Sequence, residues 1–425
     1  MDNLKKFLVV FVVLFLFSTY SFSYGEDLNL DISGEGAILI DTDTGEILYE
    51  KNSHSQFYPA STTKIMTAIL AIENGNMDDI VTIDQEAVSL TDGSHIALEP
   101  EEQLSLEHLV NALLIESAND AAYAIAKHIS GSIGEFIKLM NEKAKSIGAL
   151  NTTFVNPNGL PNEEHMTTAY DLAMIARYAM ENEKFRSIVQ NYTYTIPITN
   201  KKSEQRYLKS ANRLLYSTEK IDVNGKLTPI KYEGVNGVKS GYTVAAQQCL
   251  VTSFEKDDHK LIAVVLKSNG KNIYSDTHKL LNYGRENFEN IKIGFANKFI
   301  DNFNVNNGVV PSVAGITKTY ASFIVRKDQK DKIEEKIIVD GALEAPISKD
   351  QVIGKVEYLL NGKVVGETDI ISTTAVDKLP SPNVFKIILS KWYLFVFAAL
   401  ILIRIMVLSQ RSKRRRRRRT NLYRV

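Results

Sequence analysis

The sequence predicts an α+β protein: an antiparallel sheet covered by a cluster of helices, then a small all-β domain and a single apolar C-terminal helix. Three observations carry this reading. Strand-like runs stand at both ends of residues 28–290 with helical periodicities between them. From 291 onward the pattern changes to short strand-like runs separated by Gly or Asn turns. The apolar run 392–408 then leads into an arginine-rich stretch at 411–419.

With 425 residues, 44% hydrophobic and 9% aromatic, the chain is long enough for two or three packed domains. The formal charge of zero conceals an asymmetry: residues 1–6 carry +1 and residues 404–425 carry +10, which leaves −11 between them. Such an acidic body argues against a nucleic-acid partner. Cys249 is the one cysteine, so an intramolecular disulfide and a cysteine-built metal site are both excluded. The seven histidines lack the close His/acid spacing of a zinc helix, and neither a metal nor another cofactor is expected.

Taken in order, Lys5 and Lys6 precede the apolar run 7–17, and Ser18, Ser21, Ser23 and Gly25 follow, which is the layout of a secretory signal over 1–25. Cleavage after Ser23 or after Gly25 fits, and a short membrane anchor is the alternative. Either way the bulk of the chain leaves the cytoplasm. Runs 37–41 and 47–49 bracket Asp41-Thr42-Asp43-Thr44-Gly45 and predict a hairpin. Pro59 suits the first turn of a helix, and Ile65, Met66, Ile69, Leu70 and Ile72 leave too little polar surface for an exposed one. Apolar residues at helical spacing predict a helix over 103–115 and a second over 120–129, broken at Glu116-Ser117-Ala118-Asn119. Residues 150–162 form an Asn/Pro/Gly-rich loop, and 167–180 a further helix capped by Thr167 or Thr168. Three strands follow at 234–241, 247–254 and 260–267, the last two joined by a turn at Lys256-Asp257-Asp258, and 273–288 closes the domain as a helix. In the β-rich region 291–376, Asn361-Gly362 is a hairpin signal. Pro380 and Pro382 mark a linker over 377–391. Residues 392–408 then predict a membrane-spanning helix, with 409–425 a basic cytoplasmic tail.

Within this frame Ser61 and Lys64 lie three residues apart on one helical face. A serine hydroxyl is a weak nucleophile near neutral pH and needs a base within hydrogen-bond reach, together with donors for a developing oxyanion. A desolvated lysine close to other cations meets the first need. Ser-x-x-Lys arises often by chance. Ser117-Ala118-Asn119 at an interhelical break and Lys239-Ser240-Gly241 at a strand end make the combination specific.

In order and spacing these three motifs resemble the active-site elements of the penicillin-recognising serine enzymes, whose fold, shared with β-lactamases and transpeptidases, is the expected α+β architecture. Residues 37–41, Phe154-Val155-Asn156-Pro157-Asn158-Gly159-Leu160 and the segment 165–173 narrow the resemblance to the serine-type D-alanyl-D-alanine carboxypeptidases. These are low-molecular-mass penicillin-binding proteins of peptidase family S11. That family also carries a small β-rich domain and a C-terminal membrane attachment.

The resemblance implies that Ser61 attacks the carbonyl between two D-alanines of a peptidoglycan stem peptide, that Lys64 is the base, and that Ser117 relays the proton. It implies that Asn119 holds the stem, that Lys239, Ser240 and Gly241 line the seat of the terminal carboxylate, and that the Ser61 and Tyr242 N–H groups form the oxyanion hole. β-Lactams would be covalent inhibitors. Ser240 stands where threonine is usual and Ala118 where glycine is common, so altered rates are expected and activity is retained. Cys249 reads as a buried apolar residue and His165 as a structural loop histidine. A class A β-lactamase, with Glu163 or Glu164 activating the deacylating water, is the alternative enzyme. A non-catalytic penicillin sensor or wall-binding scaffold is the alternative outside enzymes.

Overall fold

The computed structural model describes residues 30–339, 341–380 and 384–420, so the expected signal segment lies outside the described residues. The chain divides into two compact units, one built on residues up to Lys292 together with Ser322–Ile333, the other on 293–321 and the residues from Glu334 onward. In the first unit, strands β1 (Gly36–Asp41), β2 (Ile47–Lys51), β3 (Val235–Thr243), β4 (Gln247–Lys256) and β5 (His259–Ser268) form an antiparallel sheet in the order β2-β1-β5-β4-β3. Strand β3, which carries the third motif, is therefore an edge.

The central strands read as unbroken apolar runs because both faces of the sheet are covered. Side chains alternate across a strand, so Ile38, Ile40, Ile262 and Val264 enter one buried cluster while Ala37, Leu39, Leu261 and Ala263 enter another. The first cluster is completed by helices α1 (Lys64–Asn74), α2 (Leu106–Asn111), α3 (Asn119–Ser130), α4 (Ile133–Ser146) and α5 (Ala169–Glu181), through residues such as Ile65, Leu109, Ile125, Phe136 and Leu172. The second is completed by α6 (Asn272–Asn287), through Ile273, Leu280 and Leu281.

Several boundaries differ from the sequence expectation for local reasons. The segment 103–115 is not one helix: Gln103–Ser105 pairs as a strand with Ile80–Thr82, and Ser105 Oγ accepts from His108 N at 3.2 Å, so α2 starts only at Leu106. Its continuation widens into a π turn at Ala112–Glu116 just before Ser117. Of the two candidate caps for α5 the structure selects Thr168, whose Oγ1 accepts from Asp171 N at 3.0 Å. The turn between β4 and β5 places Asp257 and Asp258 at φ 53° and 61°, the positive pair that a tight hairpin requires. Two further hairpins, Thr193–Ile196 with Arg206–Lys209 and Lys220–Val223 with Lys226–Pro229, occupy a stretch without a clear periodic signal.

The second unit is a six-stranded sheet in the order Ile333–Val339, Val352–Leu360, Lys363–Ser372, Ser312–Thr317, Phe299–Asn306, Leu343–Glu344. Val305, Val313, Ile353, Val356, Tyr358 and Ile370 are buried in it. Asn361 and Gly362, at φ 52° and 79°, make the hairpin that the sequence signals. Beyond it, the segment read as linker carries a helix at Val384–Ser390, and a longer helix runs from Trp392 to Thr420. Its first 24 residues, Trp392–Arg415, are long and apolar enough to cross a membrane, and no residue of the apolar window is buried.

Candidate active site

Ser61 sits in a 3-10 turn, Ala60–Thr63, that begins after Pro59 and passes directly into α1. Lys64 opens α1 and is completely buried, its Nζ 2.8 Å from Ser61 Oγ and donating to the Asn158 carbonyl at 2.7 Å. Burial above all, and then the nearby charge of Lys239, holds the Lys64 ammonium well below the usual lysine range, while Asp120 acts in the opposite sense. The buried amine can therefore release its proton and offer a lone pair to the serine hydroxyl.

The turn is clamped by the loop that follows α4. Thr67 Oγ1 donates to Pro157 O at 2.6 Å, beside the Lys64–Asn158 contact. Gly159 stands at φ +87°, and a Cβ there would lie 1.9 Å from Ala60 O, so only glycine permits this approach. Ala60 itself has φ 48° and Ser117 has φ 67°, left-handed values that non-glycine residues hold only where surrounding structure enforces them. His165 Nδ1 accepts from Val155 N at 3.3 Å, which leaves Nε2–H to donate to Thr63 Oγ1 at 2.9 Å. Burial pushes this imidazole down to about 4, so it is a neutral strut of the loop.

Ser117 follows the π turn, and Asn119 begins α3 with its N–H donated to Ser94 O at 2.7 Å and its Nδ2 to Asp92 O. Asn119 Oδ1 is buried without a partner. An acceptor held in that state is poised for a ligand N–H. The neighbouring Asp120 accepts from Ile96 N, Leu98 N and Ala121 N, which pins the loop before α2 to the start of α3. Because Asp120 also acts on Lys64, the N-terminal ends of α1 and α3 lie together.

Strand β3 brings the third motif. Lys239 is 1% exposed, its Nζ donating to Ser240 O at 2.9 Å. Burial lowers it to about 7, and Glu116, the residue before Ser117, opposes that shift. A Cβ on Gly241 would lie 2.7 Å from Ser61 N, so glycine lets the strand close on the serine turn. Tyr242, whose N–H comes next along the strand, is 60% exposed. The structure thus gathers Ser61, Lys64, Lys239 and Gly241 around one turn, with Ser240 and Tyr242 on the same strand, while Ser117 and Asn119 lie between Glu116 and Asp120, whose charges act on Lys239 and Lys64.

Glu163 and Glu164 are exposed loop residues. Cys249 is buried, with its thiol pushed up to about 12 by burial. Among the described residues no cluster of His, Cys, Asp and Glu could hold a metal ion. Asn158, Gly159, Asp120 and Glu116 were missed as site residues. The Asn-Pro-Asn-Gly run signals a tight turn, but nothing in the chain says that its carbonyl would meet a lysine 94 residues away.

Comparison with known proteins identifies the family of the chain. Residues 23–270 match the family described as D-alanyl-D-alanine carboxypeptidase, and residues 288–378 match the C-terminal domain of penicillin-binding protein 5. The D-alanyl-D-alanine carboxypeptidase DacF of Bacillus subtilis is 32% identical over 93% of this chain and all of the relative. DacC of Escherichia coli is 29% identical over 84% of this chain and 88% of its own length. Among solved structures, penicillin binding protein 5 from Haemophilus influenzae superposes with a TM-score of 0.68 at 29% identity, covering 82% of this chain and 98% of that one. These matches support the carboxypeptidase reading and not the β-lactamase or scaffold alternatives.

Proposed function

Because the chain belongs to the D-alanyl-D-alanine carboxypeptidase family, we propose that it removes the terminal D-alanine of peptidoglycan stem peptides through an ester on Ser61. The observation that carries this is the 2.8 Å separation between Ser61 Oγ and a fully buried Lys64 amine. Neutral Lys64 takes the serine proton as Oγ bonds to the scissile carbonyl carbon. The Ser61 and Tyr242 N–H groups hold the oxyanion. As the C–N bond breaks, Ser117 passes the proton to the leaving amine and D-alanine departs. Water then attacks the ester, giving its proton to Lys64, and the shortened peptide leaves with Ser61 restored.

Recognition rests on charge and on hydrogen bonds. Lys239 and the Ser240 hydroxyl hold the terminal carboxylate, Gly241 lets the strand that presents them close on the serine turn, and Asn119 Oδ1 accepts from a stem amide. A β-lactam opens on the same serine and leaves no separate amine to diffuse away, so it remains as a stable adduct. We place the catalytic domain at 28–290, the β-rich domain at 291–376 and the linker at 377–391. Residues 1–25 direct export, and residues 392–408 anchor the enzyme with its catalytic domain on the outer face of the cell membrane.

The test is to incubate the full chain in mild detergent with a pentapeptide ending in D-Ala-D-Ala and to assay free D-alanine, with labelled penicillin in parallel. Release of D-alanine and one adduct per chain are expected, and Ser61→Ala removes both while the protein stays folded. Labelling that persists in Ser61→Ala overturns the assignment of the nucleophile.

A further inference from the structure

Two apolar side chains at the end of β3 are left in water: Tyr242 is 60% and Val244 88% exposed. Neither belongs to the two buried clusters of the first unit. Single exposed apolar residues are ordinary. These two are set apart by their place on the strand that runs past Ser61.

Burial alternates along that strand, with Lys239 and Gly241 buried, Ser240 half-buried and Tyr242 exposed. Successive side chains point to opposite faces, so Tyr242 shares a face with Ser240 while Gly241 faces the serine turn. Because β3 ends the sheet, no further strand pairs with its outer edge, and an extended peptide laid alongside it could make that pairing.

The site reading fixes the direction of such a peptide. Its terminal carboxylate lies at Lys239 and Ser240, and its scissile carbonyl at the Tyr242 N–H. An extended chain advances about 3.3 Å per residue, so the residue before the D-Ala-D-Ala pair lies beyond Tyr242, beside the turn that carries Val244. From Gly241 to Phe254 the sequence has no charged residue, and the exposed Tyr242 and Val244 offer that neighbour an apolar contact beside the polar Thr243.

Resting on the proposed carboxypeptidase reading, we propose that Tyr242, with Val244 beside it, determines specificity by seating the aliphatic side chain of the residue that precedes the D-Ala-D-Ala pair. The ring covers the methylene stem, and the end of the side chain stays in water. Lys239, Ser240 and Tyr242 N–H recognise what every substrate shares; the Tyr242 ring and Val244 read what differs.

The experiment compares the full-length enzyme on two peptides, Nα,Nε-diacetyl-L-Lys-D-Ala-D-Ala and Nα-acetyl-Gly-D-Ala-D-Ala, with total penicillin labelling as the check on folding and on Ser61. In Tyr242→Ala the ratio of kcat/KM for the lysyl over the glycyl peptide falls about tenfold, in keeping with a few methylene contacts. Tyr242→Phe keeps the wild-type ratio, and Val244→Ala lowers it about threefold with the glycyl peptide unaffected. An unchanged ratio in Tyr242→Ala and Val244→Ala, with labelling intact, overturns the subsite and leaves the carboxypeptidase reading standing. If the wild type releases D-alanine from neither peptide, the carboxypeptidase reading fails and the subsite fails with it.

Discussion

Lys64 and Lys239 are both buried lysines, yet the proposed reaction asks opposite things of them. Lys64 must shed its proton to act as a base, and the charge on Lys239 helps it do so. Lys239 must keep its proton to hold a carboxylate, and burial has lowered it to about 7. A lysine with a depressed value is charged below that value and neutral above it. For peptides with a free terminal carboxylate, kcat/KM should therefore fall as pH rises through about 7 in the free enzyme. Peptides with an amidated end should lack this falling limb, because they have no charge for Lys239 to meet. Lys239→Ala should cost on the order of 2 to 3 kcal/mol in kcat/KM on the free acid and little on the amide. Equal cleavage of amidated and free-acid peptides by the wild type would falsify this role for Lys239.

At the level of elements, the site depends on how closely β3 and the Asn156–Leu160 loop approach one short turn. Gly241 and Gly159 both permit that approach, but differently. Gly159 combines φ +87° with a 1.9 Å clash on Ala60 O, so any side chain there displaces the loop. Gly241 has no such backbone demand, and its Cβ would meet Ser61 N at 2.7 Å and Thr62 N at 3.1 Å. Gly241→Ala should therefore spare the fold and misplace the serine turn against β3. A shift of that size costs on the order of 100-fold in acylation rate, measured by stopped-flow with a fluorescent penicillin, while the melting temperature moves by only a few degrees. Acylation at the wild-type rate would show that the turn does not need this strand so close. The same elements show what the sequence makes legible. Hairpins at Asn361-Gly362 and Asp257-Asp258 and the apolar faces of α1 and α3 are local signals, and they could be read directly. The split of 103–115 into strand and helix was hidden because Leu104 and Leu106 satisfy both periods, and only pairing with Ile80–Thr82 decides. Asp120 and Asn158 were invisible as site residues for a related reason: their roles are contacts to distant backbone and to a lysine, which no window of sequence contains.

On the scale of the whole molecule, charge and hydropathy divide the chain more sharply than fold does. Acidic residues dominate the body, whereas residues 404–425 hold ten cations and no acid. The helix Trp392–Thr420 joins these worlds, and the way it meets a membrane decides where each one lies. A helix lying on the bilayer surface needs a polar face, and residues 392–403 have none. The run 392–408 is at the short end of the roughly 17 to 25 residues needed to span. Length can be recovered at both ends: Val384–Ser390 is already helical, with Lys386 and Lys391 able to reach the outer interface, and Arg404 can extend its side chain toward the inner headgroups. The positive-inside rule would then keep the arginines from 411 to 419 on the cytoplasmic side, which is the arrangement proposed above with the catalytic unit outside. The measurement is a single reporter cysteine beside Val425 in a Cys249→Ser background, probed on intact cells with a membrane-impermeant thiol reagent. Labelling should require lysis, since a spanning helix keeps the tail inside. Labelling of intact cells would place the arginines outside, and the helix would then have to lie along the surface despite having no polar face to offer it.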